Sequence, residues 1–130
     1  MNKNIWSFLN NRNLGKQMKR IEATIQTDKT GPVSDAIKEM VGGYTILEGN
    51  GRGSGQRQTI RGGRGTGTFV AEYNKVATVS TIVDDSKVEA VIKAISDAAF
   101  SGKAGDGIIV VSTVDDVLNI ASKKRGSEAL

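Results

Sequence analysis

The chain has 130 residues and a mass of 13.8 kDa, enough for one buried core but short of the length at which chains usually divide into two domains. It contains no Cys and no His, which excludes disulfides, thiolate and imidazole metal sites, and triad catalysis that depends on histidine. No apolar run is long enough for a signal peptide or a membrane span, so we expect a cytoplasmic protein without membrane insertion. Carboxylates and lysines remain, but no pair is singled out by its spacing, and we predict no catalytic residue.

After residue 17, the first half of the chain predicts a strand, a helix and a second strand. Residues 20–26 alternate between apolar and polar side chains, which is the period of a strand. A Thr-Gly-Pro sequence ending at Pro32 is typical of a helix start, and apolar residues then recur at helical spacing until Gly42. Residues 44–48 predict a short second strand.

The second half repeats this order. Residues 68–83 are rich in strand-forming residues and predict one β arm and one sheet strand. Ser86 and Glu89 have the spacing of a capping box, which predicts the start of a second helix that ends at Gly102. A last strand follows over residues 108–111, which are apolar at every position.

The element order predicts an α+β domain with the ferredoxin-like βαββαβ pattern. Such a sheet carries its helices on one face only, yet the last strand needs cover on both faces because all its side chains are apolar. A homo-oligomer would supply that cover. In the alternative, residues 114–121 fold over the bare face.

A glycine-rich segment lies between the two halves and carries the net charge. Residues 49–67 hold eight of the 16 glycines and four arginines but no acid, so the rest of the chain is neutral, with 14 basic and 14 acidic residues. Glycine lets a backbone approach a ligand, and arginine matches phosphate or carboxylate oxygens. The segment fits neither a P-loop nor a dinucleotide fingerprint. It could also be a short RGG tract that binds nucleic acid, or a solvated linker.

A second glycine-rich segment, residues 101–107, reads Ser-Gly-Lys-Ala-Gly-Asp-Gly and lies between the second helix and the last strand. Its structural interpretation is a helix C-cap followed by a tight turn. Its functional interpretation is a row of backbone amides that receives phosphate.

At these residues the chain resembles the PII signal-transduction family. The match rests on Ser101 and the Gly-Asp-Gly at 105–107 before an apolar strand. Further agreement comes from the following segments: 18–23, 43–45, the glycines and arginine at 49, 51 and 52, 75–76, 84–85 and 125–130. The resemblance spans residues 18–130 as one domain. Residues 1–17 would be a poorly ordered extension, or a short amphipathic helix packed on the rim of the assembly through Ile5, Trp6, Phe8 and Leu9.

The resemblance implies a ferredoxin-like homotrimer that acts as a regulator and not as an enzyme. Adenine nucleotides would bind in clefts between subunits, at the base of long T-loops, here residues 49–71. The T-loop would dock onto a membrane transporter or a metabolic enzyme and not onto nucleic acid, and no metal would be required. The implied nucleotide-binding residues are Thr45, Gly49, Gly51, Arg52, Lys75, Gly105, Asp106 and Gly107. The implied partner contacts are Arg57, Arg61 and Arg64.

The chain departs from the family at its phosphate-binding positions. Members that hold ATP usually carry cations where this chain has Ile108, Asn119 and Ala121, and a glutamine that helps to hold magnesium and 2-oxoglutarate where it has Gly53. Each charge-assisted contact of this kind contributes about 1.5–3 kcal/mol. We therefore expect sensing of ATP and 2-oxoglutarate to be weakened or lost, with ADP, AMP, ATP or a cyclic nucleotide as the ligand.

Overall fold

The computed structural model describes residues 17–53, 55, 57, 59–62 and 67–130. The predicted extension therefore lies almost entirely outside the described residues, as does Arg64. The described strands are β1 (Met18–Gln26), β2 (Thr45–Gly51), β3 (Thr59–Arg61), β4 (Thr68–Val70), β5 (Asn74–Asp84) and β6 (Gly107–Val114). The described α-helices are α1 (Thr30–Ile37) and α2 (Val88–Ala99), and short 3-10 turns precede both and end the chain.

Four strands form one antiparallel sheet in the order β2-β5-β1-β6, which is the predicted ferredoxin-like arrangement. The pairing of β3 with β4 makes a separate two-stranded arm, so the prediction of one arm and one sheet strand over residues 68–83 is confirmed. Because β1 lies between β5 and β6, its C-terminal end lies beside the first residues of both strands.

The core lies between the helices and one face of the sheet. Alternate residues of β1, which include the fully buried Ile21, lie on the same face of the sheet as Val79 of β5. Their side chains pack against Val33 of α1 and Ile95 of α2. Burying one such side chain contributes about 1.5–3 kcal/mol. The period-2 pattern of the sequence thus identifies the face that the helices cover.

The opposite face of the sheet carries exposed apolar side chains. Leu47, Ile108 and Val110 are 67%, 66% and 48% exposed. The alternative in which residues 114–121 fold over this face is wrong, because these side chains stay exposed and Ile120 is itself 81% exposed. Instead, that segment turns back on itself through a bridge between Leu118 and Arg125.

Three predicted helix boundaries need correction, and one of them is the end of α2, which lies at Ala99 and not at Gly102. The amides of Met40 and Val41 both donate to the carbonyl of Ile37, at 2.8 and 3.2 Å, so the chain leaves the helix at Ile37 and closes in a turn before Gly42. The capping box is also wrong. Ser86 lies inside the 3-10 turn Asp85–Lys87, whose first amide donates to the Gln17 carbonyl at 2.7 Å, and α2 then begins at Val88 without a side-chain cap.

The first residues of the T-loop-like segment belong to the four-stranded sheet. Gly49 and Gly51 belong to β2, where they lie opposite Val76 and Asn74 of β5. The sheet therefore extends to the base of the loop, and these two glycines are part of its ladder and not of an open loop.

Candidate functional site

The glycine turn, residues 101–107, is closed by its own carboxylate. Asp106 accepts hydrogen bonds from the Ser101 amide at 2.7 Å, from the Gly102 amide at 3.1 Å and from the Ser101 hydroxyl. These bonds stabilise the ionised form, and those from Ser101 contribute most to holding the pKa of Asp106 below its ordinary value. Asp106, predicted as a ligand-binding residue, thus has its carboxylate engaged inside the turn.

The end of the turn is fixed against β1. Gly107 has φ +122°, and a Cβ there would collide with the backbone carbonyl of Thr24, so the position requires glycine. Gly105 has φ +100°, and its carbonyl accepts a hydrogen bond of 2.5 Å from the side-chain amide of Gln26. The turn is therefore held both from within and by the last residues of β1.

Two adjoining cavities meet at this turn, and together we call them the cleft. The smaller, about 360 Å³, lies between the ends of the four sheet strands and is lined by Gly51, Arg52, Gly105 and Gly107 among others. The larger, about 630 Å³, is lined by Arg57, Lys103 and Asp106 among others. The structure thus brings six of the predicted ligand or partner residues to one cleft, between the loop base and the turn.

The base of the loop is joined across its two arms by an ion pair. A guanidinium nitrogen of Arg52 donates to a carboxylate oxygen of Glu72 at 2.9 Å, and both side chains are at least half exposed. Farther into the loop, past Gly53, the backbone of Gly55 rests on the turn: a Cβ there would lie 2.5 Å from the Gly105 Cα. The cation nearest the small cavity is therefore already paired.

Three predicted ligand residues do not line the cleft. Thr45 is at the opposite end of β2, about 20 Å from Gly51 for a strand of this length, and lines a separate cavity of about 560 Å³ with Arg20 and Leu130. Gly49 lies in β2, and Lys75 is exposed on β5. One chain therefore does not bring Thr45 and the glycine turn to the same small ligand.

The remaining predicted partner contacts are only partly described. The backbone of Arg61 lies in β3, opposite Thr68, while its side chain and all of Arg64 fall outside the described part of the chain.

The positions that depart from the family pattern have distinct surroundings. Ile108 lines the smaller cavity with an apolar side chain. The Asn119 side chain is engaged within the C-terminal segment: its oxygen accepts from the amides of Ala121 at 3.0 Å and Ser122 at 3.1 Å, and its nitrogen donates to Ala129 at 3.1 Å. Neither side chain brings a cation to the cleft.

Two amide side chains that were not predicted from the sequence, those of Gln26 and Asn74, line both cavities. Gln26 ends the predicted first strand, so its place at a strand end was visible, but its partner is 79 residues away. Asn74 begins β5 and is only 7% exposed, and no local pattern marks it.

Among the described residues, no group of three or more Asp or Glu side chains is arranged to hold a metal ion. Within the same part of the chain, no helix combines the length and the apolar character needed to cross a membrane.

The family model for nitrogen regulatory protein P-II matches residues 18–124. The chain belongs to the P-II family. The resemblance seen in the glycine turn and in the segments before and after the loop is thereby confirmed, and the match covers every element of the four-stranded sheet and both helices.

Relatives within the P-II family match over nearly the whole chain. The nitrogen regulatory protein P-II of Rhizobium meliloti is 36% identical over 116 residues, and that of Azospirillum brasilense is 34% identical over 116 residues. Each alignment covers 87% of this chain and 100% of the relative.

Solved P-II structures share the fold. Arabidopsis thaliana PII bound to citrate superposes with a TM-score of 0.70 at 25% identity, covering 88% of this chain and 94% of that one. The B. subtilis GlnK–ATP complex gives the same TM-score at 20% identity, with coverage of 88% and 99%.

Proposed function

We propose that this chain is a regulatory P-II protein, without enzymatic activity, that binds an adenine nucleotide in the cleft and controls a partner through residues 49–71. The partner would be a membrane transporter or a metabolic enzyme, and the protein would act in the cytoplasm. The observation that carries the proposal is that the loop base and the glycine turn line the same two cavities. A ligand bound there would contact both the rigid turn and the segment that meets a partner.

The charge of the cleft supports an anionic ligand. Arg52, Arg57 and Lys103 line its walls, and Asp106 is the only acidic side chain among the described lining residues, with its carboxylate bound inside the turn. The turn adds backbone amides beside these cations. A nucleotide with one or two phosphates fits this distribution of charge.

We further propose that a triphosphate and 2-oxoglutarate bind weakly. An apolar side chain at Ile108 replaces a cation on the wall of the smaller cavity, and the Asn119 amide is committed to the C-terminal segment. Gly53 lines the same cavity without any side chain that could help to hold magnesium. The phosphates farthest from the adenosine would therefore lose their usual partners.

The site becomes complete only in an oligomer, and we propose the homotrimer of the resemblance. The cavity that contains Thr45 lies at the far end of β2 from the cleft, and the sheet face with Leu47, Ile108 and Val110 is uncovered. Packing these faces together would bury apolar surface and let one subunit supply Thr45 to a neighbour's cleft. Sedimentation equilibrium should give three times the chain mass, and a monomer would contradict this step.

Calorimetry with ATP, ADP, AMP, cyclic nucleotides and 2-oxoglutarate tests the ligand. We expect ADP or AMP to bind at least as tightly as ATP, and 2-oxoglutarate to bind weakly or not at all in the presence of ATP and magnesium. If no adenine nucleotide gives a signal, the proposed function is wrong. The comparisons lend no support to the alternative that the Arg-rich loop binds nucleic acid.

Restoring one cation sharpens this test. Ile108→Lys should raise the affinity for ATP about tenfold, the effect of one charge-assisted contact at its lower magnitude, while the affinity for adenosine stays the same. Ile108→Met, of similar size and without charge, is the matched control. If both variants raise the affinity for ATP equally, or if Ile108→Lys raises the affinity for adenosine as much as that for ATP, the missing charge at this position is not what limits ATP binding.

A further inference from the structure

Gln26 connects the sheet to the glycine turn. It is the last residue of β1, lies opposite Val76 in the sheet, and lines both cavities. Its side-chain nitrogen donates to the Gly105 carbonyl at 2.5 Å, across 79 residues of sequence. In the described part of the chain, the side-chain hydrogen bonds of Lys19 and Thr24 on β1 go to β6 and β5, whereas that of Gln26 reaches this turn.

That bond fixes a peptide plane that glycine leaves free. The Gly105 carbonyl belongs to the same peptide group as the Asp106 amide, and in a trans peptide the C=O and N–H bonds point in opposite directions. A residue with φ +100° and no Cβ has alternative backbone states of similar energy. Holding the carbonyl on Gln26 therefore also sets the direction of the Asp106 amide.

The bond also changes the electrostatics of the cleft. A carbonyl oxygen at the wall of a cavity repels an anion, and the partial positive charge of the amide hydrogen bound to it offsets part of that repulsion. A carboxamide has two N–H donors, so Gln26 can bind the carbonyl and still present a polar hydrogen to the cavity. The amide carries no charge, which sets it apart from Arg52, Arg57 and Lys103.

We propose that Gln26 is a positioning residue: through the Gly105 carbonyl it holds the glycine turn in the conformation that admits a phosphate group. Asp106 closes the turn from within, while Gln26 orients it relative to the sheet. This inference rests on the proposed function, since it assigns the phosphate end of the nucleotide to the turn. Adenosine, which has no phosphate, should bind independently of Gln26.

The experiment compares Gln26→Met with Gln17→Met, which makes the same chemical change at an exposed side chain just before the same strand. Calorimetry with ADP and with adenosine is the first readout. Loss of one neutral hydrogen bond should weaken ADP binding about three- to tenfold in Gln26→Met, with adenosine unchanged and Gln17→Met like the wild type. Gln26→Glu should weaken ADP further, because a carboxylate repels both the carbonyl and the phosphate.

Hydrogen exchange of the turn without ligand is the second readout. Amides of residues 101–107 should exchange faster in Gln26→Met and not in Gln17→Met, whether or not any nucleotide binds. If the wild type binds no nucleotide, the proposed function is wrong. Hydrogen exchange then still tests whether Gln26 stabilises the turn. Unchanged exchange, or equal losses for ADP and adenosine, would overturn the inference. Should Gln26→Met not fold, Gln26→Asn withdraws the amide by one bond and is judged by the same two readouts.

Discussion

The two glycine-rich segments that line the cleft are held in opposite ways. The turn at 101–107 is tied by the Asp106 carboxylate, by Gln26 and by the close approach of Gly107 to β1. The described part of the loop between Arg52 and Glu72 is joined by one half-exposed ion pair and the short β3–β4 ladder. Glycine thus serves a tight fit in the turn and at Gly55, which rests on the turn, whereas at Gly53 the loop has room for added atoms.

The largest expected effect comes from adding one methyl group to the turn. Gly107→Ala forces a Cβ against the Thr24 carbonyl at φ +122°, and should lower the free energy of unfolding by about 2–4 kcal/mol. Gly53→Ala is the matched control in the loop, where a Cβ would meet nothing within 4 Å, and its effect should stay within about 0.5 kcal/mol. Urea unfolding measures both, and equal effects would remove the contrast between the two segments.

Acid should loosen the turn. Hydrogen bonds lower the pKa of Asp106 in the folded chain below the ordinary value of 3.8, so its stabilising contribution is present above that pH and is lost as the pH falls through the lowered pKa. The stability difference between wild type and Asp106→Asn should therefore shrink between pH 7 and pH 3. Asp28→Asn, on an exposed turn, is the control. A difference independent of pH would contradict the assignment of the carboxylate to the turn.

The smallest expected effect is in the loop. A double-mutant cycle with Arg52→Gln and Glu72→Gln should give a coupling of at most about 1 kcal/mol, because exposed ion pairs are screened by water and salt. The pair of Lys93 and Asp97 on α2, also exposed, gives the reference coupling. A coupling above 2 kcal/mol that persists in 1 M salt would show that the loop base is as firmly held as the turn.

Breaking the same pair should also alter ligand binding. Glu72 and a phosphate compete for the Arg52 guanidinium, so Glu72→Gln should raise the affinity for ADP about two- to fivefold, in line with the modest strength of an exposed pair. Calorimetry at low and high salt measures this gain. A fall in affinity would mean that Glu72 positions Arg52 for the ligand and does not compete with it.

Much of the fold could be predicted because it depends on short-range patterns. The alternation over residues 20–26 and the apolar run at 108–111 identified two strands, and the glycine spacing at 101–107 identified the turn. The helix ends were predicted less well. The capping spacing at Ser86 was overridden by a bond between the Asp85 amide and the Gln17 carbonyl, a contact between parts of the chain that no local window includes.

The candidate site was likewise predicted only where it depends on local sequence. The sequence by itself determined the βαββαβ order, the basic loop and the glycine turn, because periodicity, composition and backbone freedom act over a few neighbouring residues. Only the tertiary structure decided that Arg52 meets Glu72, that Gln26 holds the Gly105 carbonyl, and that Thr45 lies apart from the cleft. The two contacts join residues that are 20 and 79 positions apart, and Thr45 is separated from the cleft by the length of one strand. All three follow from the order of the strands in the sheet and not from any local pattern.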